Sequence, residues 1–196
     1  MTPRIGRQVQ HNKHTDQNSI VADFSEDMVY RYTLKMDFIE NGNRNKTAAV
    51  ILKNPSSANE KKADNTIRRV EEYIYSNFSD VKTIYILNLF AIRATDAKDV
   101  AKLCKEKGMS YINGPKNDEY HKQIISKADY IITAWGGNST IPKECYNQRI
   151  MKEMEMIKSN KKDNIILFRV NADKGSSFYP FHACFWSNKY TLVQEK

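Results

Sequence analysis

Four short stretches carry the residues best suited to chemistry, and each lies at or beyond the end of an apolar run. Lys53-Asn54-Pro55-Ser56 follows Ala48–Leu52, Asn88 comes late in Val81–Phe90, Trp135-Gly136 closes the run that begins at Asp129, and His182 lies in an aromatic stretch beyond Asn164–Val170. An asparagine amide can hydrogen-bond the edge of a planar ligand or orient a water, but it is no general base. Histidine can donate to a developing negative charge, and Lys53 puts a cation beside Asn54 that suits a phosphate. Phe90 and Arg93 follow Asn88, and Gly136 lets backbone approach a ligand closely or turn sharply. Each has a plain structural reading as well. N-P-S-S is a common turn, a buried asparagine can lock a loop, and the aromatic residues, Phe185 and Trp186 included, can simply fill a core.

The elements that must position these residues follow from periodicity. Met28–Phe38 alternates, which puts Tyr30, Tyr32, Leu34, Met36 and Phe38 on one face and Arg31, Thr33, Lys35 and Asp37 on the other, as in a half-buried strand. Asn41-Gly42-Asn43 signals a turn, so Thr47–Leu52 is expected to return antiparallel as a hairpin. Asp64 caps a helix in which Ile67, Val70, Tyr73, Ile74 and Phe78 recur at helical spacing, and it also stands where a crevice would open. Further helices are expected over Asp96–Lys107, ended by Gly108, over Asn117–Lys127, and from Pro142 to Ser159. His121 reads as a surface residue of the third helix, and Met151, Met154 and Met156 as core filler in the fourth. Lys189–Gln194 is a short edge strand or a tail.

Strands and helices therefore alternate after an N-terminal β-hairpin. The expected fold is a three-layer α/β/α sandwich with a mostly parallel central sheet, and ligands bind such sheets beyond the carboxyl ends of the strands. The 196 residues suit a single domain over 21–196. The polar stretch 1–20, with His11 and His14, reads as a flexible arm. Cys104, Cys145 and Cys184 are odd in number and widely spaced, against a disulfide framework or a zinc ribbon. No metal and no cofactor is expected. No apolar run is long enough to cross a membrane and the N-terminus has no secretory pattern, so a cytoplasmic protein is expected. Thirty-one Lys and Arg against twenty-three Asp and Glu leave a net charge of +8, which fits DNA, another nucleic acid or a nucleotide as partner. Oligomeric state is not legible.

In order, L-K-N-P-S, Y-I-L-N-L-F, T-A-W-G-G and P-F-H-A-C resemble the strand-end motifs of the uracil-DNA glycosylase superfamily. The chain is also similar to a bacterial and phage family known as domain of unknown function sixteen-forty-three. The shared pattern is Tyr30–Leu34, Leu52–Ser56, Asp64–Thr66, Asn88–Arg93, Gly114–Asp118 and Trp135-Gly136. The glycosylase resemblance implies a flipped nucleobase between the strand ends, with cleavage of its bond to the sugar. By it Asn54 would position water, Asn88 would bind the base edge, and His182 would stabilise the leaving base. Lys53, Pro55, Ser56, Phe90, Arg93, Trp135 and Gly136 would complete the base or nucleotide site. Asn54 and Ser56 stand where the uracil-specific pattern has Asp and Tyr, so base choice is open. Non-catalytic nucleic-acid binding and action on free nucleotides or nucleosides are the alternative readings.

Overall fold

β4 (Lys46–Leu52) is apolar from Ala48 onward, and a strand without a polar face needs cover on both sides. It has that cover. Ala49 and Ile51 pack with Val100, Cys104, Ile125 and Ile150, whereas Ala48, Val50 and Leu52 pack with Val70, Tyr73 and Ile74. The computed structural model describes residues 8–39, 42–94, 96–137, 140–161, 163–171 and 173–195.

Around β4 the other strands are β2 (Val21–Phe24), β3 (Arg31–Asp37), β6 (Val81–Asn88), β7 (Tyr130–Thr133), β8 (Ile166–Val170) and β9 (Leu192–Glu195). Among the described residues they form one seven-stranded sheet in the order β2-β3-β6-β4-β7-β8-β9. The four strands β6, β4, β7 and β8 are parallel, and β2, β3 and β9 add antiparallel pairings at the edges. Helix α1 (Asn65–Asn77) covers one face. The other is covered by α2 (Ala97–Lys107), α3 (Met109–Asn113), α4 (Asn117–Ile125) and α5 (Lys143–Asn160). The mixed α/β architecture with helices on both faces is as expected. No helix of the described residues is long and apolar enough to cross a membrane.

The hairpin differs from expectation. β3 does not pair with β4; β6 lies between them, antiparallel to β3 and parallel to β4. The hairpin that forms joins β2 to β3. An all-apolar strand is best covered in the sheet interior, which draws β4 away from the half-polar β3. The expected turn begins at Asn41, outside the described residues.

Strict alternation also fails in β3. Asp23 pairs with Thr33 and Phe24 with Arg31, so Tyr32 is the extra residue of a β-bulge. A bulge bends its strand and re-aims the side chains beside it. Tyr30 and Tyr32 pack on the α4 side, where Tyr32 stacks on Tyr120, while Leu34, Met36 and Phe38 pack on the α1 side. Arg31 and Thr33, expected on a polar face, are buried.

The polar N-terminal segment is docked from Gln8 onward, and its residues 1–7 lie outside the described residues. β1 (Gln8–Val9) pairs antiparallel with β5 (Ala63–Asp64), just before α1. His11 and Asn12 are buried against Glu71, whose carboxylate accepts from the Asn12 N–H at 2.8 Å. Burying these polar groups is tolerable because each has a partner on α1, which no local pattern in the arm reveals.

Candidate functional site

Beyond β4 the chain crosses one face of the sheet through α1 to reach β6, then returns over the opposite face through α2–α4 to reach β7 on β4's other side. Connections that diverge in this way open a crevice at the strand's carboxyl end. A cleft of about 200 Å³ lies there. Leu52, Lys53, Asn54 and Ser56 line it from the loop after β4, Asp64, Thr66 and Ile67 from the start of α1, and Arg31, Ala94 and His182 from other elements.

Backbone bonds stitch the first two motifs together. Leu89 and Phe90 N–H donate to Leu52 and Lys53 O, and Ala94 N–H to Pro55 O. The Asn54 amide nitrogen completes the seam by donating to Ala94 O at 2.6 Å and Pro55 O at 3.3 Å. With the NH₂ group engaged, the amide oxygen is the end left as an acceptor.

His182 is oriented by its own turn. It caps the 3₁₀ turn Ala183–Phe185, and the Cys184 N–H donates to its Nδ1 at 3.1 Å. A backbone N–H can only donate, so in the neutral ring the proton sits on Nε2. Burial, reinforced by the Lys53 cation, lowers the pKa of His182 to about 4. The ring is thus a neutral N–H donor near pH 7. Gly136 lies against it, and Ala183 N–H bonds Ala134 O, which ties this turn to the end of β7.

Asp64 caps α1 as expected, and it has a second partner that was not expected, Ser56. Its Oδ1 caps α1 by accepting from Thr66 N–H at 2.7 Å and Ile67 N–H at 2.8 Å, and its Oδ2 accepts from the Ser56 hydroxyl at the cleft wall. Lys53 donates to Gly137 O at 2.7 Å, and burial lowers its pKa. Arg31, brought in by the bulge, was missed; only the register shift between β2 and β3 betrays it.

The remaining predicted residues lie around the cleft rather than on it. Trp135 is buried and donates from its indole N–H to Phe178 O at 3.0 Å, and Phe90 is wholly in the core. Pro55 is buried beneath the seam. Arg93 donates to Met28 O at 2.8 Å with its guanidinium over Phe24. Trp186 is core, whereas Phe185 is 60 % exposed. Asn88 is fully buried beside Leu52 in the parallel pair, and neither atom of its side-chain amide has a hydrogen-bond partner among the described residues. Among the described residues no group of three His, Cys, Asp or Glu side chains is arranged to hold a metal ion.

Residues 31–182 match the family described as Protein of unknown function (DUF1643). The chain belongs to DUF1643. Searches of curated proteins and of solved structures gave no match. The matched span contains every lining residue named above, and it includes a buried network behind the cleft that explains a further part of the DUF1643 pattern. Asn117 donates to Asn88 O at 3.0 Å and Leu89 O at 3.3 Å, so Gly114–Asp118 holds the end of β6. Arg149 also donates to Leu89 O, and it pairs with Asp118 at 2.8 Å and Glu153 at 3.0 Å. Glu153 in turn meets His121 Nδ1 at 2.8 Å. His121 is therefore not a surface residue as expected but a fully buried member of this network. Met151 corrects the other reading of these helices: it is 62 % exposed, and of the three methionines Met156 alone is fully in the core.

Proposed function

We propose that the cleft receives a flipped nucleobase of a nucleic acid and promotes hydrolysis of its bond to the sugar, in the manner of the uracil-DNA glycosylases that the motifs resemble. One observation supports this above others. Asn54 and His182, far apart in sequence, line a single cleft and present complementary groups, an amide oxygen and a neutral ring N–H.

In this reading the Asn54 oxygen accepts a hydrogen bond from a water and aims it at the anomeric carbon. As the carbon–nitrogen bond breaks, its electron pair leaves with the base, and His182 Nε2–H donates to the charge that develops there. The water oxygen bonds the cationic anomeric carbon and then loses its proton to solvent, and the departing base anion takes up a proton from solvent, so that the products are free base and an abasic sugar. A neutral imidazole avoids the cost of burying a further cation beside Lys53, and its contribution is preorganised hydrogen bonding. The glycosylase-like fold, the cytoplasmic setting and the DNA partner belong to the same proposal. Asn88 would act from behind the wall, because it is absent from the cleft lining, and base choice stays open.

The test is incubation with oligonucleotides carrying uracil and a panel of modified bases, followed by alkali. Free base and strand breaks are expected, and both Asn54→Ala and His182→Ala should reduce them at least 100-fold, the scale typical of an electrostatic donor. Absence of both products across the panel would sink the reading.

A second reading, binding without cleavage, is favoured by exposed Lys61, Arg68 and Arg69 beside the cleft-lining start of α1. Its mark would be affinity for DNA that falls steeply with salt while no base is released; a flat salt dependence would count against it. Action on free nucleotides is the third, read by thermal shift with a nucleotide panel.

A further inference from the structure

Two arginines in this protein are equally buried, at 1 % exposure, and they are treated differently. Arg149 is matched by two carboxylates, Asp118 and Glu153. Arg31 has none within ion-pair distance among the described residues. Its Nη1 donates to Ala58 O at 2.8 Å, and its buried Nε has no hydrogen-bond partner among the described residues. Asp64 and Glu60 act on it only at longer range. Asp64 is moreover committed to the α1 cap and to Ser56.

A buried guanidinium without a counter-ion is costly, and the cost is recovered when a ligand supplies the anion. Arg31 lines the cleft, and the Tyr32 bulge is what brings it there. Lys53 provides a second cation in the same cleft. A planar guanidinium with an unpartnered N–H and no carboxylate, beside a point charge, suits the tetrahedral oxygens of a phosphoryl group.

We propose that Arg31 and Lys53 form a phosphate subsite, so that the ligand of this cleft is a nucleotide bearing a phosphoryl group rather than a free base or nucleoside. The phosphate is either that of a nucleoside monophosphate or the diester flanking a flipped nucleotide. The nucleotide half of this statement rests on the function proposed above; the phosphate half does not.

Calorimetric titration of the full chain with deoxyuridine, deoxyuridine 5′-monophosphate, inorganic phosphate and a short deoxyuridine oligonucleotide with only internal diesters separates these cases. The monophosphate or the oligonucleotide is expected to bind at least tenfold tighter than deoxyuridine, with inorganic phosphate competing. Arg31→Gln should abolish that preference and Lys53→Met weaken it. Circular dichroism checks the fold of both. Should Arg31→Gln fail to fold, Lys53→Met carries the test, because among the described residues the Lys53 ammonium donates to the Gly137 carbonyl and otherwise lies over the Tyr146 ring, contacts that a methionine side chain can replace in part. A gain confined to the monophosphate identifies a free nucleotide, and one confined to the oligonucleotide identifies the backbone. Equal affinity for nucleoside and phosphorylated ligands, absence of binding by any of them, or a phosphate preference that survives both substitutions would overturn the proposal. Arg31-dependent phosphate binding without base release would leave the subsite standing and remove the glycosylase reading.

Discussion

Gly136 lies so close to His182 that a β-carbon added to it would sit 2.7 Å from His182 Cβ and 2.9 Å from Cδ2. Its φ of +74° is also one that L-residues with a side chain rarely adopt. The ring is confined by its own turn on one side, so it cannot retreat without losing the Cys184 bond. Gly136→Ala is expected to cost about 1–2 kcal/mol for the left-handed backbone alone, with more from the clash. It should lower any His182-dependent activity or binding more than it lowers the melting temperature. Thermal denaturation and the oligonucleotide assay on one sample check this.

The two histidines His182 and His11 give pH dependences of opposite sign. The pKa of His182 is lowered to about 4 in the folded chain, first by burial and then by Lys53. Between about pH 4 and 6.5 the unfolded chain binds this proton and the folded chain does not, so the contribution is present above 6.5 and lost as pH falls toward 4. Urea denaturation from pH 4 to 7 should show stability rising with pH, and His182→Gln should flatten that rise.

His11 behaves in reverse. Burial pulls its pKa down, but the Glu71 carboxylate and the Asn59 carbonyl outweigh burial and leave it raised. Its Nδ1 and Nε2 lie 2.6 Å from Glu71 Oε1 and 3.0 Å from Asn59 O, two acceptors that a doubly protonated ring satisfies. The stabilisation is therefore full below 6.5 and lost as pH rises through the raised value. His11→Gln should remove that alkaline loss. Proteolysis within residues 8–19 should then become faster at neutral pH, because β1 and the buried Asn12 depend on the same docking.

Methionine substitutions separate the two buried arginines by stability alone. Arg149→Met leaves Glu153 buried without its guanidinium partner and is expected to cost about 3–5 kcal/mol, as for other broken buried pairs. Arg31→Met removes a charge that has no ion-pair partner among the described residues, together with the donor to Ala58 O, so the ligand-free protein should lose no more than about 1–3 kcal/mol, less than Arg149→Met. Chemical denaturation of the two variants decides it, and equal large losses would mean that Arg31 is a structural cation.

Much of the site could be read from local chemistry. Lys53, Asn54 and Ser56 are readable because polar residues just after an apolar strand face the crevice at the sheet's end, whereas His182, well beyond the end of β8, is singled out by the motif resemblance; all four line one cleft. Asp64 was readable as a cap for the same local reason. Asn88, Phe90, Arg93, Trp135 and Gly136 belong to the same strand ends but lie behind the cleft wall or beside it. Residue type and strand position do not say how deep a side chain sits.

What the sequence by itself determined is the set of elements and their order, because hydrophobic period, caps and turn residues act within a few positions of one another. That is why α1, α2, α4, α5 and the parallel strands were legible from their own residues. Only the tertiary structure decided which strands are neighbours, and so put β6 between β3 and β4. It alone made His121 and His11 partners of glutamates 32 and 60 residues away in sequence. Above all it decided Arg31. The period of β3 turns that side chain to a polar face, and a single extra residue opposite β2 turns it into the cleft after Asn54. Pairing register depends on contacts between distant segments, and alternation within one strand carries no record of it.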